Sequence, residues 1–367
     1  MASIPDRVRE MIQVSGLSQR DFGTRIGLDD SKLSKSLNGV RRFSSIDLAR
    51  IGELCGVSVD WLVTGEETAL SVAARTTGGS ARGALQVAKR YSDLRTDLAA
   101  LGYAQPWRPV TSDLGTGTYQ TQGNRLAALA VSRMIEVGIS VREQNLPAAI
   151  EAAFGVDVPV VELGPDFDGL AASADDVKLI VLAASNIPAR QRFTLAHELG
   201  HLLAADNQAI HLDEDVFAKA QKRDPSELRA NAFASAFLMP ESEISDMIGS
   251  GGVTEDSFAT LACDLMVTPS ALAYRLQGLR LIDAGQCEQL KRLTAAKAAQ
   301  IAERGEEFSH RVTTARTARP PGLLARDAYA AYESGAATLR PYADLLGVDV
   351  DELRDALERD QGACERS

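Results

Sequence analysis

Two histidines four residues apart enclose a glutamate in the stretch Arg190-Gln-Arg-Phe-Thr-Leu-Ala-His-Glu-Leu-Gly-His-Leu-Leu203. The chain holds only four histidines, His197, His201, His211 and His310, so this pairing draws on half of its supply. Phe193, Leu195, Leu199, Leu202 and Leu203 recur at helical intervals, which predicts a helix through the stretch. On a helix His197 and His201 leave the same face one turn apart, where two neutral imidazole nitrogens can share one zinc ion at about 2.0–2.1 Å. Glu198 points too far round to be a natural third ligand and is placed instead to take a proton from a water that the metal activates. The plain alternative is a helix with two incidental histidines.

A second stretch, Ser226-Glu-Leu-Arg-Ala-Asn-Ala-Phe-Ala-Ser-Ala-Phe-Leu-Met-Pro240, reads as another amphipathic helix that stops before Pro240 and buries Ala230, Phe233, Ala234 and Phe237. Glu227, 26 residues after His201, stands at its start. Two histidines and one glutamate would leave a fourth zinc position for water. Asn231, one turn further on, is expected to hydrogen-bond to His201 and orient it.

Phe193-Thr-Leu-Ala-His-Glu-Leu-Gly-His201, followed by Glu227-x-x-Ala-Asn-x-Phe-Ala234 and Leu238-Met-Pro240, closely resembles the ImmA/IrrE group of bacterial zinc metallopeptidases. The resemblance covers roughly residues 125–285 in pattern. It implies His197, His201 and Glu227 as zinc ligands and Glu198 as the general base. It also implies a protein substrate, typically a helix-turn-helix transcriptional repressor whose cleavage derepresses stress or mobile-element genes. A rival reading makes the chain a transcription regulator whose zinc fold is a sensor or scaffold that cleaves nothing. An intact Glu198 favours the peptidase, because a scaffold needs the ligands and not the base.

Length and composition bound these readings. With 367 residues, 45% hydrophobic and 24% charged, the chain can build two or three domains with ordinary cores. No apolar run approaches the roughly 20 residues needed to span a bilayer, and the N-terminus lacks an apolar signal segment, so no membrane is expected. Cys55, Cys263, Cys287 and Cys364 form no C-x-x-C pair, which leaves neither a disulfide framework nor a cysteine zinc site and points to the cytoplasm. The net charge of −11 argues against nucleic-acid binding by the whole surface. Residues 1–65 nevertheless hold nine Lys/Arg against eight Asp/Glu, so the negative balance lies after them.

The elements that must position these groups fall into five segments. Residues 1–66 read as five short helices: Pro5–Val14, Gln19–Ile26 behind Ser18, Asp30–Leu37 behind Asp29, one from Ser44 or Ser45 through Leu54, and Val59–Val63 behind Ser58. Two short helices joined by a glycine-centred turn are the helix-turn-helix signature. Gly16-Leu-Ser-Gln-Arg-Asp-Phe, Ile26-Gly-Leu and Lys32-Leu-Ser-Lys-Ser-Leu-Asn-Gly39 resemble the XRE, or Cro/phage-repressor, type of DNA-binding domain. That likeness implies Asp30–Leu37 as the recognition helix. Ser31, Lys32, Ser34 and Lys35 would then face the major groove, with Gln19, Arg41 and Arg42 on phosphates. Asp29 and Asp30 would repel phosphate, and a helical interaction module without DNA is the alternative.

Residues 67–123 read as a linker holding one long helix, Arg82–Leu101, whose Val87, Tyr91, Leu94, Leu98 and Leu101 form a two-heptad stripe. The stripe suits either a homodimer seam or a face packed on a neighbouring domain. Residues 124–295 read as the metallopeptidase domain, with helices over Arg125–Val137 and Leu146–Phe154 and strands near Val158–Glu162 and Val177–Ala183. Gly169–Ala172 is a further possible strand, and helices follow Pro240. Residues 296–320 read as a second linker. In residues 321–367 Leu339–Leu353 repeats the pattern of Leu48–Leu62, a helix, a glycine turn and a helix, with added acidic residues. The expected fold is therefore multidomain and mainly α: a five-helix helix-turn-helix bundle, an α+β zincin-like domain with a small sheet, and a helical C-terminal tail. His211 and His310 are expected to be solvated.

Overall fold

A computed structural model describes residues 3–15, 17–55, 59–64, 71–76, 82–110, 113–163, 167–174, 176–206, 224–249 and 251–364. The chain divides into two compact units, Met1–Ala69 and Leu70–Ser367.

The first unit holds α1 (Ile4–Val14), α2 (Gln19–Arg25), α3 (Asp30–Leu37), α4 (Ser45–Cys55) and α5 (Val59–Thr64). Ser18 and Asp29 cap α2 and α3 by accepting the backbone N–H groups of Asp21 and Lys32. Between these helices Gly27 takes a left-handed φ of 71°. Ser44, not Ser45, caps α4: its hydroxyl accepts the Asp47 N–H, and the Asp47 carboxylate accepts the Ser44 N–H at 2.9 Å. Val8, Phe22, Ile26, Leu33, Leu37, Leu48, Ile51 and Leu62 form the core. Arg7 is buried and donates to the carbonyls of Leu62 and Val63, which ties α1 to the end of α5.

The second unit begins with β1 (Ser71–Thr76), α6 (Arg82–Ala100), α7 (Tyr119–Glu136), α8 (Leu146–Phe154), β2 (Val160–Val161), β3 (Phe167–Ala174) and β4 (Val177–Ala183). It continues with α9 (Pro188–Leu203), α10 (Pro225–Leu238), α11 (Glu241–Ile248), α12 (Glu255–Asp264), α13 (Pro269–Gly278) and α14 (Ala284–Leu290). The last elements are α15 (Ala295–Ile301), α16 (Gly305–Arg316), α17 (Gly322–Glu333), α18 (Arg340–Leu346) and α19 (Val350–Cys364).

The sheet order is β1-β3-β4-β2; β3 is antiparallel to β1 and β4, and β2 is parallel to β4. Successive residues of β3 and β4 serve opposite faces, as the two-residue pleat requires. Ala171, Ile180 and Leu182 join Leu195 and Leu199 of α9 in one core. Leu170, Ala172, Leu179 and Val181 join Ala88, Tyr91 and Leu98 of α6, and Leu324 and Ala328 of α17, in the other. β3 and β4 are thus covered by helices on both faces.

That arrangement corrects the expected segment boundaries within residues 70–367, which form one unit. Part of the first expected linker is an edge strand, β1. The heptad stripe of α6 is no exposed dimer seam: Tyr91 and Leu98 are buried against the sheet and α17, and Leu101 is left 45% exposed. The stretch expected as loop up to residue 123 packs as well. Gln105 donates to Asp157 and to the Lys178 carbonyl and accepts the Lys178 N–H, and α7 starts at Tyr119 rather than Arg125. The second expected linker holds α15 and α16, and Arg319 then bridges to Val160 beside the sheet.

Buried ion pairs close the unit. Arg95 of α6 binds both oxygens of Asp157 at 2.8 and 2.7 Å and Asp327 of α17 at 2.6 Å. Arg319 binds Glu151 of α8 at 2.7 Å, and Glu151 also accepts the backbone N–H groups of Val158 and Gly322. The repeated pattern of the tail appears as α18 and α19, with Gly347 left-handed at the turn; its counterpart Gly56 lies outside the described residues.

Candidate metal centre

α9 is gripped from both sides. Pro188 occupies its first turn, where the missing N–H costs nothing. Facing the sheet, Gly169 of β3 comes so close that an added Cβ would lie 2.6 Å from Thr194 Cγ2. Facing α10, a Cβ on Gly200 would lie 2.9 Å from the Phe233 ring. These bare backbones let β3 and α10 approach α9 until His197, Glu198 and His201 are all buried. Arg192, also buried, donates to the carbonyls of Val141 and Glu143 and moors α9 to the turn after α7.

α10 delivers the third residue. Asp224 accepts the Ser226 N–H at 2.8 Å and so starts the helix immediately before Glu227. Glu227 Oε2 lies 3.4 Å from His197 Nε2, Glu227 Oε1 lies 3.3 Å from His201 Nε2, and the two Nε2 atoms are 3.1 Å apart. A tetrahedral zinc bound at about 2.0–2.1 Å separates its ligand atoms by about 3.3 Å. The three side chains are thus drawn together at close to that spacing, Glu227 meeting the two histidines with different oxygens, and they are the one cluster that could hold a metal ion among the described residues.

The electrostatics of the cluster favour positive charge. Burial alone would raise the Glu227 carboxyl, but hydrogen bonds and charge from His197 and His201 outweigh it and hold the carboxyl well below the usual carboxylate range. Burial would lower His201, yet Asp206 and Glu227, helped by the charge of Glu198, push it up to about 9. Both shifts express carboxylates drawing a cation to the imidazoles, and a divalent ion answers the same demand.

Of the residues singled out in the sequence, His197, His201 and Glu227 lie together, and Glu198 is buried beside His197 on α9. The sequence misassigned Asn231, which lies exposed on α10. His201 Nδ1 is instead 3.0 Å from Asp206 Oδ2, just past the end of α9. Asp206 reaches that position because Ala205 adopts a left-handed φ of 52°. An Ala-Ala-Asp sequence carries no turn signal, since alanine rarely occupies that region. His310 is exposed on α16, and His211 lies outside the described residues.

In the first unit Gln19, Ser31, Lys32, Lys35 and Arg42 are exposed and Ser34 is half-buried. Lys32 pairs with Asp29 at 3.0 Å. Arg41 is less available than its sequence suggests, because its guanidinium binds Asp47 at 2.8 Å and the Ser36 hydroxyl at 2.9 Å. No helix among the described residues is long and apolar enough to cross a membrane.

Residues 136–277 match the family described as Peptidase_M78: IrrE N-terminal-like domain. Two curated relatives bear the name radiation response metalloprotease IrrE. The one from Deinococcus radiodurans is 37% identical over 123 residues, which are 33% of this chain and 37% of the relative. The one from Deinococcus deserti is 34% identical over 99 residues, 26% of this chain and 35% of the relative. The chain thus spans little more than a third of the length of either relative. The stretch that carries all of His197, Glu198, His201 and Glu227 therefore lies within the residues that match the IrrE N-terminal-like domain.

Proposed function

We propose that the chain is a zinc-dependent endopeptidase of the HExxH…E kind joined to a DNA-binding helix-turn-helix unit. It acts in the cytoplasm on a helix-turn-helix repressor and so releases stress or mobile-element genes. The observation that carries the reading is the spacing of His197 Nε2, His201 Nε2 and Glu227 around a common point. Two imidazoles and one carboxylate are a donor set that zinc accepts while a fourth position stays open. Bound zinc would polarise the scissile carbonyl and lower the pKa of water toward about 7. Glu198 takes the proton of the attacking water as its oxygen bonds to the carbonyl carbon. It then returns that proton to the departing nitrogen as the C–N bond breaks. The burial of Glu198 keeps this transfer away from bulk solvent. The stress role follows the names of the two relatives, and the repressor substrate follows the ImmA/IrrE resemblance.

The test is metal analysis together with cleavage of a purified helix-turn-helix repressor encoded nearby. We expect one zinc per chain, a discrete cut, loss of cutting on chelation and recovery with added zinc. Zinc-loaded protein that cuts no repressor, with transcription unchanged by Glu198→Gln, would leave a regulator that does not cleave. For the first unit, residues 1–69 should bind a short palindromic site with an affinity that falls steeply with salt, and Lys32→Ala with Lys35→Ala should weaken it. Failure to select any sequence from random oligonucleotides would remove the DNA role.

A further inference from the structure

We propose that Asp206, locked by Arg229, is the positioning residue that aims His201 at the metal and ties its orientation to the helix bearing Glu227. The proposal rests on the metal-centre reading above. A histidine offers only one ring nitrogen to a metal, and the partner of the other nitrogen sets both tautomer and ring angle. Here His201 Nδ1 faces Asp206 Oδ2 at 3.0 Å, so with the proton on Nδ1 the lone pair of Nε2 points into the cluster. The second Asp206 oxygen binds Nη2 of Arg229. Arg229 follows Glu227 by two residues on α10, and its Nη1 also contacts Gln122 Oε1 of α7 at 3.4 Å.

Asp206 and Arg229 are both largely shielded from solvent, which strengthens the pair and limits exchange with water. The backbone holds Asp206 there at a cost. Ala205 sits in the left-handed region, and the Asp206 N–H returns to the His201 carbonyl at 3.1 Å. A turn of this kind persists where its surroundings hold it, and here it carries the carboxylate back beneath the imidazole. The clamp thus spans the two helices that supply all three ligands.

The experiment is zinc affinity of the full chain by competition with a chromophoric chelator, with circular dichroism and thermal unfolding of the metal-free proteins as the check on folding. Asp206→Ala should weaken zinc binding by about 10–100-fold. Asp206→Asn should lose less, because its amide oxygen can still accept the Nδ1 proton. Arg229→Ala should weaken zinc binding, and Arg229→Lys should recover part of the loss. In the Asp206→Ala background Arg229→Ala should add nothing, since it acts through the carboxylate. The absorption of cobalt-substituted Asp206→Ala should shift as the ring angle relaxes. If Asp206→Ala does not fold, Asp206→Asn and the two Arg229 variants carry the same comparison. Zinc affinity unchanged in folded Asp206→Ala, alongside a large loss in Glu227→Ala, overturns the clamp and leaves the metal centre standing. Wild-type protein that binds zinc no better than Glu227→Ala overturns both.

Discussion

Glu198 and Glu227 are carboxylates beside the same two imidazoles, and their placement divides their work. Glu227 lies within 3.4 Å of both Nε2 atoms, the position of a third ligand in the proposed zinc site. Glu198 neighbours His197 in sequence, is buried, and adds charge that raises His201 without taking a ligand position. Glu227→Ala should therefore lose bound zinc and activity together. Glu198→Gln is nearly isosteric and should keep zinc while cutting about 10²–10⁴-fold more slowly, because an amide cannot take the proton. Metal content measured beside the cleavage rate separates the two variants. A Glu198→Gln protein that holds full zinc and cuts at the wild-type rate would end the assignment of the base.

At the scale of elements, close approach is what brings the ligands together. Gly200 gives Phe233 of α10 its seat against α9, so Gly200→Ala pushes apart the helices carrying His201 and Glu227. The overpacking should cost about 1–3 kcal/mol by denaturant unfolding and weaken zinc binding as well. Unchanged stability would mean that the Phe233 ring yields freely. In the first unit the carboxyl of Asp47 is buried, which would raise its pKa. The Ser44 N–H, the Arg41 guanidinium and the Ser44 hydroxyl outweigh that effect and hold it below its ordinary value. A depressed folded-state pKa contributes stability above the unfolded value, about 3.9, and that contribution is lost as pH falls through the folded one. Residues 1–69 should accordingly lose stability on acidification below about pH 4, and Asp47→Asn should flatten this acid limb. Thermal melts across pH 2–7 on both proteins would show it, and identical acid limbs would refute it.

Over the whole second unit, charged groups and not linkers join the N-terminal, central and C-terminal parts. Arg95, fully buried, holds Asp157 beside the sheet and Asp327 in the tail. Removing one member of such a set leaves uncompensated buried charge, so Arg95→Ala should cost about 3–5 kcal/mol. Reversible urea unfolding of the full chain measures it, and a loss below about 1 kcal/mol would mean the carboxylates find other partners. Leu94→Asp with Leu98→Asp belongs with the same prediction. Because α6 covers the sheet, the pair should unfold the second unit, whereas a shift from dimer to folded monomer on light scattering would restore the dimer seam.

The sequence by itself determined how His197, Glu198 and His201 stand to one another on α9, and it determined most of the helices. His197, Glu198 and His201 are neighbours through helical geometry alone, so their spacing already stated their relation, and the caps at Ser18 and Asp29 are equally local. Glu227 was legible only because a second recognisable motif carries it. Asp206 was not legible: it reaches His201 through a left-handed alanine, and propensity disfavours that conformation. The apolar stripe of α6 was visible, but an apolar stripe is the same whether a second chain or the chain's own sheet covers it. No local pattern marks Arg95, whose partners Asp157, 62 residues away, and Asp327, 232 residues away, close around it only in the fold. Local rules name the groups and their nearest neighbours. Partners brought together across the sheet are chosen by tertiary packing, because only the folded chain decides which charges must share a buried space.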